Sequence, residues 1–215
     1  MTTKLYGYWR SSAAYRLRIA LNLKGVDYQQ VPVNLKEGEQ RGAAWLDIQP
    51  QGLVPVLEHD GVRLLQSPAI LEWIDETWPD PAFLPRDTIA RCQARGWASI
   101  IACDIHPLQN LRVLKAVAGD LGQGPDGMKA WSQRWMKSGL DALETLVEAA
   151  PRTGEHLGGQ IPGLADIYLV PQAYNARRWG LDMSDWPALA AADEACRALP
   201  AFRDAAPESQ PDAEV

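Results

Sequence analysis

Residues 53–74 read LVPVLEHDGVRLLQSPAILEWI, and this stretch decides the fold of the first part of the chain. Pro55 begins a short apolar run, which suits the first residue of a strand. Asp60-Gly61 is a signal for a two-residue hairpin turn, so Val62–Leu65 is the predicted partner strand. Ser67-Pro68 then predicts the start of a helix, with Ser67 as the N-cap and Pro68 in the first turn.

A strand–helix–strand pattern precedes this hairpin. The strands are predicted at Leu5–Tyr8 and Val26–Val33. Between them, an apolar face with helical spacing follows Ser11-Ser12, and Gly25 is placed to end the helix. Two basic side chains lie off that face and are expected to be structural or to form surface ion pairs: Arg16 and Arg18.

The chain beyond residue 85 shows helical patterns without convincing strand alternation. Pro79–Asp87 is the predicted linker, and Gly119–Gly127 is a predicted loop between helices. The last helix is predicted over Asp193–Phe202, followed by an acidic tail expected to fray. The pattern predicts an N-terminal α/β domain over residues 1–85 and an all-α domain over 86–215.

Composition excludes several classes of function. The 215 residues carry a formal net charge of −6, so the chain is not built to coat a nucleic acid. No apolar stretch is long enough to span a membrane, and the N-terminus does not resemble a secretory signal. Three separated cysteines and three histidines without ligand spacing predict neither a metal site nor a disulfide framework. We therefore expect a cytoplasmic protein.

Three short motifs are candidates for chemistry, and each also has a purely structural interpretation. Ser11 and Ser12 precede a helix, where a hydroxyl either stabilises an anion such as a thiolate or merely caps the helix. Val54-Pro55, if cis, would turn backbone groups towards a peptide-like ligand, whereas a trans peptide would be ordinary. Gln66-Ser67 would hold a carboxylate at the start of the next helix, or only cap it.

The order of these motifs resembles the glutathione transferase superfamily. Residues 8–21 read YWRSSAAYRLRIAL and are similar to the zeta-class signature SSCxxRVRIAL. The stretches 66–70, 109–114 and 169–172 also resemble that class, so the likeness covers nearly the whole chain.

This resemblance implies a thioredoxin-like α/β domain followed by an all-α domain, usually in a homodimer. It implies a glutathione-dependent cis–trans isomerase that acts on a maleyl keto acid, either maleylpyruvate or maleylacetoacetate. The implied catalytic residues are Ser11, Ser12 and Arg10. The implied glutathione ligands are Ser11, Ser12, Val54, Pro55, Gln66, Ser67, His106 and Asn110. The implied ligands of the substrate carboxylates are Arg10, Arg112 and Arg178.

Two positions depart from the class pattern. Ala13 stands where the class commonly has cysteine, which excludes protein-thiol chemistry there but not chemistry of the glutathione thiol. Gly163 stands where the helical capping box usually has a hydroxyl residue, so half of the reciprocal cap is missing. Asp166 at the start of that helix is therefore expected to be structural.

Two other functions stay open at this point. One is a zeta-type transferase that conjugates glutathione to α-halo acids or similar electrophiles. The other is a non-catalytic binding protein with the same fold, which the retention of Ser11, Ser12, Pro55, Gln66 and Ser67 disfavours. Arginines near the expected site favour a dicarboxylate substrate, and hence the isomerase.

Overall fold

A four-stranded sheet in the order β2-β1-β3-β4 organises the first part of the computed structural model, which describes residues 2–151 and 153–214. The strands are β1 (Thr3–Gly7), β2 (Gln29–Pro32), β3 (Val56–His59) and β4 (Val62–Leu65). Strand β2 runs parallel to β1, whereas β3 and β4 are antiparallel to their neighbours. The predicted strand–helix–strand unit and hairpin are both confirmed.

Three helices accompany this sheet: α1 (Ser12–Leu23), the short α2 (Ala43–Leu46) and α3 (Ser67–Thr77). Helix α1 ends as predicted, because Gly25 adopts a φ of +64° and the Val26 amide donates to the Leu21 carbonyl. The hairpin turn is also confirmed, since Asp60 and Gly61 both have positive φ angles.

The structure corrects two sequence predictions about α1 and α3. Of the two roles expected for Arg16 and Arg18, the structural one holds and the surface ion pair does not, because their exposed fractions are 2% and 1%. Ser67 is the first residue of α3 rather than its N-cap; Gln66 occupies the N-cap position with a φ of +69°. The Ser67 side chain is turned inward, where its hydroxyl accepts a hydrogen bond from Arg16 at 3.4 Å.

The chain divides into two compact units, the first formed by the residues up to Ala82 together with the stretch from Ala198 onwards. Phe202 and Ala205 in that stretch are fully buried, and Asn22 of α1 donates to the Ala201 carbonyl at 3.0 Å. The predicted fraying of the tail after Phe202 is also wrong, because Ala205 is buried and its carbonyl accepts a hydrogen bond from Arg18 of α1 at 2.8 Å.

The second unit, Phe83–Arg197, is helical throughout its regular structure in the described residues. Its α-helices are α4 (Thr88–Ser99), α5 (Leu111–Ala118), α6 (Gly124–Ala149), α7 (Leu164–Arg178) and α8 (Pro187–Arg197). A π-helical segment (Ile100–Ile105) and a 3₁₀ turn (His106–Gln109) join α4 to α5 and account for the predicted break near Pro107. None of the helices in the described ranges is both long and apolar enough to cross a membrane.

Two helix boundaries differ from the sequence prediction. Helix α6 begins at Gly124, inside the predicted loop, because Pro125 is well suited to the first turn of a helix. The predicted last helix is split into α8 and a short helix α9 (Pro200–Arg203). Proline lacks a backbone N–H and Pro200 therefore starts a new helix instead of continuing α8.

Asp166 organises the start of α7, as expected from its position. Its carboxylate accepts hydrogen bonds at 2.8 Å from the backbone N–H groups of Leu157, Gly158 and Gly163. The side chain is fully buried; burial raises the pKa of Asp166, and these amide donors oppose that effect. Gly163 has no side chain to return the cap, so Asp166 supplies the side-chain hydrogen bonds that join the preceding loop to the start of α7.

We predict that Asp166→Ala lowers the free energy of unfolding by about 3–5 kcal/mol, because three backbone amides lose a fully buried charged acceptor. Urea denaturation followed by tryptophan fluorescence measures this loss. Asp87→Ala is the matched control, since Asp87 also caps a helix through two backbone amides but is exposed. We expect that control to cost about 1 kcal/mol. Equal costs for the two variants would contradict the proposed role of burial.

Candidate functional site

The turn between β1 and α1 carries the two serines. Ser11 is the N-cap of α1, and its hydroxyl oxygen accepts a hydrogen bond from the Ala14 amide at 3.2 Å. Its own N–H donates to the Tyr8 carbonyl at 2.9 Å, which closes the turn. Ser12 is the first residue of α1 and is half-buried; within the described residues its hydroxyl has no hydrogen-bond partner. Both hydroxyl groups therefore stay able to donate to an anion at the positive end of the helix.

Arg10 lies beside these serines. Its guanidinium stacks over the Trp9 ring at 5.1 Å from the ring centre, and the side chain is half-buried. Lys36 is close enough for the positive charge of Arg10 to affect its pKa. The pKa of Lys36 is raised, chiefly by its hydrogen bond to Glu214, whereas Arg10 opposes the rise. Arg10 therefore supplies a positive charge beside the serine turn, although the chain as a whole is acidic.

The strand register places the other two motifs of the first unit at the same edge of the sheet. Tyr6 near the end of β1 pairs with Val56 at the start of β3, and Val56 pairs with Leu65 at the end of β4. The residues that follow β1, precede β3 and follow β4 therefore meet at one end of these strands. They are Tyr8–Ser12, Val54-Pro55 and Gln66-Ser67.

The Val54-Pro55 peptide bond is cis. Among the hydrogen bonds of the described residues, none involves the N–H or the C=O of Val54, which is half-buried. The neighbouring Leu53 carbonyl, in contrast, accepts a hydrogen bond from the Trp45 indole at 3.2 Å. The two polar groups of Val54 are thus able to pair with an extended peptide-like ligand, as an added strand would.

The pair Gln66-Ser67 differs in exposure. The Gln66 side chain is exposed and donates to the Gln51 side chain at 2.5 Å. Ser67 is buried, and its hydroxyl accepts from Arg16. Its O–H group can still donate to a carboxylate at the N-terminus of α3.

The remaining predicted site residues belong to the second unit. His106 begins the 3₁₀ turn and is half-buried. Asn110 is the N-cap of α5, where its side-chain oxygen accepts from the Arg112 amide at 3.1 Å. The Arg112 side chain is exposed on α5, and Arg178 is exposed at the end of α7. The predicted residues thus form two groups, one within each unit.

A chain of amide side chains supports Arg178. Its guanidinium donates twice to the Asn175 side-chain oxygen, at 3.2 and 2.9 Å. Asn175 donates to Gln109 at 2.6 Å, and Gln109 donates to Gln172 at 2.6 Å. These three amides are buried, so their hydrogen bonds fix the direction from which Arg178 leaves α7. Sequence reasoning singled out the stretch 109–114 but did not assign this role to Gln109.

A second buried cluster joins His156, Asp166 and Cys196, with their ligand-type atoms within 4.8 Å of one another. The Cys196 sulfur lies 3.4 Å from His156 Nδ1 and 3.6 Å from Asp166 Oδ1. Burial raises the pKa of the Cys196 thiol far above its usual range, so this thiol stays protonated. The cluster is explained by hydrogen bonding around the helix cap, and its spacing along the chain gave no signal of it.

Comparison with known proteins agrees with this geometry. The profile of the family described as "Glutathione S-transferase, N-terminal domain" matches residues 1–76. A maleylpyruvate isomerase from a Ralstonia species is 46% identical over 209 residues, which cover 97% of this chain and 99% of that protein.

Two solved structures are similar over almost the full length. One is the holo structure of a maleylpyruvate isomerase described as a bacterial zeta-class glutathione S-transferase. It has a TM-score of 0.96 and 45% identity, and the match covers 98% of this chain and 100% of that one. The other is a maleylacetoacetate isomerase from Methylobacterium extorquens with bound malonate and glutathione. It has a TM-score of 0.94 and 38% identity, with 99% and 100% of the two chains covered.

The sequence identity extends through both units. The sheet order, the helical second unit and the serine turn all agree with that class. The chain therefore belongs to the zeta-class glutathione transferase family, the family of the maleylpyruvate and maleylacetoacetate isomerases.

Proposed function

We propose that this protein is a glutathione-dependent cis–trans isomerase of a maleyl keto acid. The observation that carries the proposal is the meeting of three motifs at one edge of the sheet: the serine turn with Arg10, the cis Val54-Pro55 peptide and Gln66-Ser67. Relatives named for the isomerisation of maleylpyruvate and of maleylacetoacetate support the same function.

Glutathione fits the polar groups of this edge. Val54 offers an N–H and a C=O to the peptide backbone of the tripeptide. Gln66, Ser67 and the N-terminus of α3 are suited to its glutamyl carboxylate. Pro55 holds the segment that presents Val54. From the second unit, we propose His106 and Asn110 as further glutathione ligands, on the strength of the sequence resemblance.

The serine turn is suited to stabilise a thiolate. A free thiol has a pKa near 8.5 and is mostly protonated at pH 7. A hydroxyl donor and the positive end of α1 both favour the anion and would lower that pKa. We propose Ser11 as the main donor, because its oxygen already accepts from the Ala14 amide and this polarises its O–H group. Ser12 would support it from the first turn of the helix.

When bound, glutathione supplies the thiolate that adds to the cis double bond, permits rotation about the resulting single bond, and is eliminated unchanged. Arg10 is placed beside the serine turn to hold a carboxylate of the substrate. Arg178, which is held by Asn175, and the exposed Arg112 are the proposed cations of the second unit for substrate carboxylates. Fixed cations keep the substrate ends in place while the central bond rotates.

Two further features of the protein belong to this proposal. We propose a cytoplasmic location, which agrees with the exposed free thiols of Cys92 and Cys103. We propose a homodimer on the strength of the sequence resemblance, and light scattering after gel filtration would distinguish a dimer from a monomer.

The direct test of the function is an isomerase assay. Purified protein is mixed with maleylpyruvate or with maleylacetoacetate, with and without glutathione, and loss of the cis isomer is followed by absorbance. We expect turnover that requires glutathione but does not consume it, and the faster substrate identifies the physiological reaction. Consumption of glutathione with an α-halo acid and no isomerisation would favour the transferase. Failure to bind glutathione would favour a non-catalytic binding protein.

We predict that Ser11→Ala lowers kcat about 100-fold, because one positioned donor to the anion is lost. It should also raise the pKa of the bound glutathione thiol, measured from thiolate absorbance against pH. Ser12→Ala is the matched comparison and should have a smaller effect on both. Thermal unfolding separates the capping role, since only Ser11→Ala removes a helix cap, worth about 1 kcal/mol. A larger kinetic loss in Ser12→Ala would contradict our assignment.

We predict that Arg10→Ala and Arg178→Ala raise KM for the dicarboxylate substrate about tenfold or more, because a charge-assisted contact with a carboxylate is lost. Activity with a neutral electrophile should change much less. Arg63→Ala is the control, because Arg63 is an exposed arginine on β4 that pairs with Glu58. Equal effects on the charged and neutral substrates would refute the proposed carboxylate contacts.

A further inference from the structure

The C-terminal segment forms hydrogen bonds with the residue that precedes Arg10. The Trp9 amide donates to the Asp212 carboxylate at 3.0 Å. The Trp9 carbonyl accepts from Arg18 at 2.8 Å, and the same guanidinium donates to the Ala205 carbonyl at 2.8 Å. Both polar backbone groups of Trp9 are therefore connected to the C-terminal segment, one directly and one through Arg18.

Trp9 is well placed to control the serine turn. It lies two residues before Ser11, and only 6% of it is exposed. The orientations of its N–H and C=O define the peptide planes on either side of its α-carbon. Because both groups are held, the direction in which the chain continues into Arg10 and Ser11 is held as well.

The segment that carries Asp212 is itself folded onto the first unit. Gln210 is buried and donates to the carbonyls of Asp204 and Ala206. Gln30 of β2 donates to the Gln210 side chain at 2.5 Å, and Lys36 forms an ion pair with Glu214. Asp212 lies between these two attachments, so its carboxylate is presented to Trp9 by a defined backbone.

The charge of Asp212 argues for a geometric rather than an electrostatic role. A carboxylate close to the serine turn repels a thiolate and would by itself disfavour that anion. The cations around the turn are Arg10, Arg18 and Lys36, of which Lys36 is paired with Glu214. The negative charge of Asp212 therefore disfavours the proposed thiolate. Any contribution of Asp212 to the site must come from its hydrogen bond to the Trp9 amide.

We infer that Asp212 is a positioning residue of the proposed thiolate site: it holds the Trp9 peptide so that Arg10 and Ser11 are presented in the correct direction. The inference rests on the proposed function. It assigns a specific task to a residue about 200 positions away from the serines in the sequence.

The test compares Asp212→Ala with Asp212→Asn in the full-length protein. Asparagine keeps an oxygen acceptor for the Trp9 amide and removes the charge, whereas alanine removes both. We expect Asp212→Ala to decrease the ratio of thiolate to thiol in bound glutathione at pH 7 about threefold, equivalent to a rise of about half a pKa unit. Its kcat should fall by a similar factor. Asp212→Asn should retain most of the thiolate and most of the turnover.

The pattern across the two variants separates the explanations. A purely electrostatic role predicts that both variants increase the thiolate fraction, because both remove a negative charge. A purely structural role predicts a lower melting temperature with no change in the thiol pKa of the bound glutathione. Either result would overturn the inference. Asp204→Ala is the matched control, since Asp204 is an exposed aspartate of the same segment whose carboxylate forms an ion pair only with Arg203 among the described residues.

Failure of this inference can be told apart from failure of the proposed function. If Ser11→Ala raises the thiol pKa and Asp212→Ala does not, Asp212 has no positioning role and the thiolate site stands. If neither serine variant changes the thiol pKa, the proposed thiolate site is wrong, and the inference about Asp212 is overturned with it.

Discussion

The buried guanidinium of Arg18 connects three stretches of the first unit that are distant in sequence. It extends from α1, donates to the carbonyl of Trp9 in the serine turn, and donates to the carbonyl of Ala205 in the C-terminal segment. A charged side chain that is only 1% exposed is tolerated because its donors meet carbonyl oxygens. Removal of either carbonyl would leave a buried N–H donor without that acceptor, so the turn, the helix and the tail are coupled.

An acidic chain can hold a site for anions because the charges near that site differ from those of the whole chain. The net charge of −6 describes the whole chain, whereas Arg10 and Arg18 lie next to the serine turn together with one carboxylate, that of Asp212. Local donors and the end of α1 determine the potential at a small site more strongly than distant surface charges, which are screened by salt. Because the turn is already held in the absence of a ligand, little reorganisation is needed when an anion forms there.

The second unit uses buried polar groups in a comparable way. Asp166 collects three backbone amides at the start of α7, and Asn175 near its end supports Arg178 through an amide chain. Both are examples of polar groups that are costly to bury alone and rigid once satisfied. The central helix is therefore fixed at its beginning and at its end, and the proposed substrate contact lies at the end.

Local signals in the sequence determined the order of strands and helices, the hairpin turn at Asp60-Gly61, the cap at Ser11 and the structural role of Asp166. These features depend on residues a few positions apart, so their residue types are sufficient to reveal them. Only the tertiary structure decided that Arg18 is buried, that Gln66 rather than Ser67 precedes α3, and that the tail folds back. Those features depend on contacts between residues far apart in the chain. Asp212 accepts a hydrogen bond from the Trp9 amide 203 positions away, and no local sequence pattern predicts that contact.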